Sequence, residues 1–80
     1  MRRPRDVSSV DLVKGLKVFG YEITRQTGSH IRLTTSQRGE HHITIPNHNP
    51  IRIGTLASIL DVVSNHFKIS TNELLAKLDL

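Results

Sequence analysis

Cysteine is absent from this 80-residue chain, tryptophan is absent too, and one tyrosine and two phenylalanines make up the whole aromatic supply. The first absence excludes disulfides, thiolate zinc sites and thiol nucleophiles, and it fits a reducing, cytoplasmic setting. The shortage of flat rings, limited to Phe19, Tyr21 and Phe67, counts against recognition of single strands by base stacking. No apolar run approaches the roughly 20 residues that a membrane span needs. The basic start "MRRPRDVSS" has no apolar segment behind it, so neither an export signal nor a membrane partner is expected. Length sets a further limit, because a chain of 80 residues builds one modest core and leaves its sites on the surface or in a groove.

What the chain does have is positive charge. Eleven Lys and Arg against 7 Asp and Glu give a formal charge of +4 and a pI near 10.1, which points to a polyanionic partner, nucleic acid first. Arg2, Arg3 and Arg5 surround Pro4 with nothing to bury, so residues 1–7 are expected to form a flexible basic arm ahead of a single domain over residues 8–80. Lys14, Lys17, Arg25, Arg32, Arg38 and Arg52 are scattered over that domain, which suits backbone contact of any sequence better than base readout.

Periodicity divides the domain. Ser8 with Asp11 begins a capping-box-like start, and Leu12, Val13, Leu16 and Phe19 recur at helical spacing up to Gly20, which predicts a first helix over 9–19. From Tyr21 the period falls to two. Tyr21 and Ile23 alternate with Glu22 and Thr24, Gly28 and Ser29 interrupt, and Ile31 and Leu33 alternate with His30, Arg32 and Thr34. After the turn "SQRGE", His41, Ile43 and Ile45 share one phase and His42 and Thr44 the other, until Pro46 ends the run. Leu56, Ile59, Leu60 and Val63 predict a second helix over 55–66, and Ser70 with Glu73 caps a short third one carrying "LLAKL".

This order predicts an α+β fold, α-β-β-β-α with an additional C-terminal helix. A three-stranded antiparallel sheet has its helices on one face, a connectivity that resembles the double-stranded-RNA-binding domain. The other face is left open and polar. Strict alternation assigns to it Glu22, Thr24 and Gln26, then His30, Arg32 and Thr34, then His42 and Thr44.

His30 is therefore available to a ligand. Cleavage of RNA by its own 2′-hydroxyl needs a base for that proton and an acid for the leaving 5′-oxygen, and an imidazole of pKa about 6.5 does either near neutral pH without a metal. Arg32, two residues along the same face, suits the charge developing on phosphorus, with Arg25 a weaker candidate. Gly28 lets a phosphate backbone approach closely. The residues alone also fit a plainer reading, and favour it: a solvent-facing turn histidine whose ring caps a carbonyl.

The other histidines divide similarly. His41 and His42 are adjacent on a strand, point to opposite faces and cannot ligate one metal ion together, so no metal site is expected. His42 is a candidate second acid or base if strand pairing sets it across from His30, and a polar strand residue otherwise. His48, between Pro46 and Pro50, reads as a turn residue, and His66 as a cap for the carbonyls ending its helix. Gly54 and Thr55 begin the second helix, whose free N–H groups and positive dipole end suit a phosphate, although Thr55 equally serves as its N-cap.

Taken together, "GYEITRQTGSHIRLT", "HITIP" and "IRIGTLASIL" resemble the HicA (YcfA-like) family of small bacterial toxins, the RNA-cleaving partners of HicB-type antitoxins. The resemblance spans about residues 9–67 and rests on G-S-H and I-G-T-L in this order with a hairpin between them. It implies a double-stranded-RNA-binding-like fold and a cytoplasmic endoribonuclease, an mRNA interferase, acting without metal or other cofactor. His30 matches the catalytic histidine of the family, Gly28 and Ser29 the positions before it, and Gly54 and Thr55 the start of the second helix. The implied partners are mRNA and a HicB-like antitoxin. The chain departs from shorter family members in its His41–His42 pair, its "NHN" loop and its third helix. The alternative function is an RNA-binding or antitoxin-binding module of the same fold that cuts nothing.

Overall fold

Ser8 opens the first helix, α1 (Ser9–Leu16), by accepting the Asp11 N–H on its hydroxyl at 3.1 Å. In the computed structural model, which describes residues 7–80, α1 tightens into a 3₁₀ turn over Lys17–Phe19. Three strands follow, β1 (Glu22–Thr27), β2 (His30–Thr35) and β3 (His41–Pro46), and then α2 (Ile53–Phe67) and α3 (Thr71–Leu78). The order is α-β-β-β-α-α, as the periodicity predicts. The sheet is antiparallel in the order β1-β2-β3.

One face of the sheet is buried. Ile31 and Leu33 of β2 and Ile43 and Ile45 of β3 join Leu12 and Leu16 of α1 and Leu56, Leu60 and Val63 of α2 in a single apolar cluster. Full burial of such side chains is worth about 1.5–3 kcal/mol each, which is what holds the helices on this face. Ser70 caps α3 by accepting the Glu73 N–H at 3.0 Å, and Leu74, Leu75 and Leu78 then enter the same cluster. The α3 contact is close: a Cβ on Gly15 of α1 would stand 3.0 Å from the Leu78 carbonyl oxygen. By contrast β1, an edge strand, is exposed along its whole length.

Two boundaries differ from the sequence reading. The basic arm expected over residues 1–7 lies outside the described residues except for Val7, which is buried and whose carbonyl accepts the Ile51 N–H at 2.8 Å. Val7 is thus part of the core. The second helix begins at Ile53 rather than at residue 55, with Arg52 as N-cap and no side-chain cap. Anchoring of Ile51 to Val7 delivers the chain into the helix two residues early, so Thr55 stands inside the first turn and is not the N-cap.

Candidate active site

Strand pairing arranges the open face in rows. Thr27, His30 and Pro46 stand side by side, then Arg25, Arg32 and Thr44, and then Thr34 beside His42. Successive rows are two residues apart, about 7 Å along the strands.

The β1 part of these rows departs from strict alternation. The register passes from Ile23↔Leu33 to Arg25↔Arg32, leaving Thr24 as the extra residue of a β-bulge. Beyond it the phase inverts. Gln26, expected on the open face, pairs with Ile31 on the other, while Arg25 and Thr27 come to the open one. Thr24 stays on that face, its Oγ1 2.9 Å from Thr34 Oγ1. Arg25 is therefore no peripheral cation but the direct neighbour of Arg32.

His30 begins β2 immediately after a two-residue turn. Gly28 has φ +48° and Ser29 is not left-handed, the pattern of a type II′ hairpin with glycine in its first central position. The turn is anchored from outside the sheet: the Asn47 N–H donates to the Ser29 carbonyl at 2.6 Å, and Asn47 Oδ1 accepts the Ser9 hydroxyl at 2.8 Å. Asn47 thus ties the turn to the start of α1, a role that the "NHN" composition marks only as a loop. The His30 ring is exposed, and its one hydrogen bond among the described residues is a long one, 3.4 Å from Nδ1 to Ser29 Oγ. It is held loosely and faces solvent.

His42 does not stand across from His30. It pairs with Thr34, four residues along β3 from Pro46 and so about 13 Å from the His30 row. Its ring is already engaged. Glu40 Oε2 accepts from Nε2 at 2.7 Å, which leaves Nδ1 to accept the Thr34 hydroxyl at 2.7 Å.

Gly54 and Thr55 stand in the first turn of α2, at the other end of the helix from His66. The His66 ring, near the end of α2, donates through Nε2 to the Gln37 carbonyl in the β2–β3 turn, at the far end of the sheet. A 15-residue helix spans about 22 Å, so its start lies toward the opposite end, where β3 finishes beside His30. Gly54 is exposed, with open space where a Cβ would be. Among the described residues no three His, Cys, Asp or Glu side chains form a metal-binding group, and no helix is long and apolar enough to cross a membrane.

Comparison with known families decides the kinship. Residues 9–63, from the start of α1 through most of α2, match the model of the HicA toxin of bacterial toxin–antitoxin systems. The chain belongs to the HicA toxin family. No curated protein and no solved structure matches it at a significant level. Membership brings with it a toxin–antitoxin system and hence an antitoxin partner. Every open-face residue named above falls within the HicA match, whereas His66 and α3 lie beyond it.

Past the HicA match, at the far end of the sheet, His66 closes a cluster that alternation alone does not reveal. Its ring stacks on His41 at 4.3 Å, and the fully buried Tyr21 meets His41 Nδ1 through its hydroxyl at 2.7 Å. Burial pushes the Tyr21 hydroxyl up to about 12. Burial first, and then the neighbouring His66 and His42, hold the His41 imidazole below its ordinary value. His66 therefore bonds the Gln37 carbonyl and not the terminal carbonyls of its own helix, which Lys68 and Ile69 close with their backbone N–H groups. The rings at this end are held by one another and by Gln37, whereas the weakly bonded ring on the open face is His30.

Proposed function

We propose that this HicA-family chain is an endoribonuclease toxin, an mRNA interferase that cleaves RNA without a metal and with His30 as its proton-transfer group. Neutral His30 takes the proton of a 2′-hydroxyl, the 2′-oxygen forms its bond to phosphorus, and the bond from phosphorus to the 5′-oxygen breaks. The leaving 5′-oxygen takes its proton from water on the opposite side of phosphorus, and His30 returns the proton it holds to solvent. Arg32, one row away, offers a cation to the RNA backbone next to the ring, and the Gly28–Ser29 turn leaves room for that backbone. Gly54 and Thr55 add N–H groups of a helix start at the same end of the sheet.

The observation that carries this reading is an exposed, weakly bonded imidazole on the rim of a cationic sheet face in a chain of a toxin family. His42, bonded on both ring nitrogens, is the weaker candidate for an acid or base. The test is His30→Ala assayed on purified RNA beside wild type, with and without a chelator. A loss on the order of a hundred- to ten-thousand-fold, with unchanged thermal stability and no effect of the chelator on wild type, is expected. Undiminished cleavage by the folded variant would refute the role of His30. RNA binding without cleavage by either protein would support the non-catalytic module instead.

A further inference from the structure

The bulge at Thr24 creates an arrangement that strict alternation would not: Arg25 and Arg32 directly opposite each other on adjacent strands, both exposed. Among the described residues neither guanidinium takes part in an ion pair or a hydrogen bond. The nearby carboxylates do not neutralise them. Glu40 is occupied by His42, and Glu22 pairs with Thr34 in register without reaching either arginine. Like charges directly opposite on an antiparallel pair destabilise the sheet, and an anion between the two forks relieves that repulsion. Each guanidinium offers five N–H donors in a planar fork that matches phosphate bidentately.

We propose that Arg25 and Arg32 form a clamp for an RNA phosphate one linkage away from the phosphate cleaved at His30. The inference rests on the proposed cleavage at His30 and adds to it a second, separate subsite. The pair stands one row from His30, about 7 Å along the strand, which is on the order of one nucleotide of backbone. An RNA strand laid along β2 thus presents one phosphate to the imidazole and the next to the clamp. Among the described residues the open face carries no Phe, Tyr or Trp to stack on bases, so the grip is on the backbone and tolerates any sequence. The ligand class is an RNA strand with at least two consecutive phosphates.

The test measures binding separately from cleavage. A 2′-O-methyl RNA octamer, which lacks the nucleophilic hydroxyl, is titrated over a range of salt into wild type, Arg25→Ala, Arg25→Lys and His30→Ala, with thermal melts to verify folding. Arg25→Ala is expected to bind about tenfold more weakly and to lower the salt slope by about 0.7, the share of one single-strand phosphate, while Arg25→Lys keeps the slope and loses part of the affinity. Replacing the octamer's phosphates by neutral methylphosphonates should weaken wild type about tenfold more than it weakens Arg25→Ala. The clamp is overturned if Arg25→Ala binds with wild-type affinity and slope, or if the neutral linkages weaken it as much as wild type. An Arg25→Ala protein that binds RNA normally but no longer holds a co-expressed antitoxin would overturn it as well, and would assign the pair to an acidic protein surface. Normal RNA cleavage by His30→Ala alongside the Arg25 losses would remove the His30 reading and leave the clamp as a phosphate site.

Discussion

Replacing Tyr21 by Phe removes a single oxygen from the far end of the sheet. The ring is fully buried and keeps its edge contact with Phe67, centroids 6.1 Å apart, so apolar burial is unchanged. What disappears is the 2.7 Å hydrogen bond to His41 Nδ1, whose ring is only half-buried and so regains part of its solvation. A net bond is worth about 1 kcal/mol and a buried orphaned partner costs about 1–3, which sets the loss here near 1.5 kcal/mol. For a domain of this size that lowers Tm by about 6–12 °C, and it lowers the urea midpoint by about 1 M at unchanged slope. Circular dichroism melts and urea titrations at pH near 7.5 measure both quantities. A Tm within about 2 °C of wild type would refute the reasoning, because it would mean that the hydroxyl gains nothing from His41 that water does not supply.

Three further outcomes follow from the geometry. The folded state favours neutral His41, held below its ordinary value by burial and then by His66 and His42, while the unfolded chain takes up that proton at about pH 6.5. Its contribution is therefore present above about pH 6.5 and lost as pH falls through the lower folded value; melts between about pH 7.5 and pH 5 should show Tm falling, less steeply in His41→Gln, and equal steepness would contradict the assignment. Thr35→Val should cost about 2–3 kcal/mol in urea unfolding, because the buried hydroxyl donates to the Phe19 carbonyl at 2.7 Å and accepts the Gln37 N–H at 3.1 Å. Gly28→Ala, at φ +48° with open space around it, should lose about 1 kcal/mol from backbone strain alone; full stability would show that the turn accommodates an L-residue.

Local signals carried far. Ser8 and Ser70 mark the starts of α1 and α3 through side-chain hydrogen bonds to the backbone three residues on, an interaction wholly contained in four residues. Likewise the alternation of His30, Ile31, Arg32 and Leu33 assigns the first and third to the open face and the others to the core, because a strand turns its side chains by half a revolution per residue. Where the period was interrupted, the same rule misplaced Gln26. A bulge depends on how two strands meet, and neither strand records it alone.

By itself, then, the sequence determined the order of elements, the faces of β2 and β3, the glycine turn before His30 and the kinship that makes this ring a candidate catalyst. The tertiary structure alone decided who stands beside whom. It set Arg25 opposite Arg32, gave His42 to Thr34 and Glu40 instead of to His30, drew Val7 into the core and carried His66 across to Gln37. The physical reason is range. Caps and alternation are fixed by neighbours within a few residues, whereas register and helix docking come from the joint packing of segments far apart in the chain, and the rows of this open face are a product of that packing.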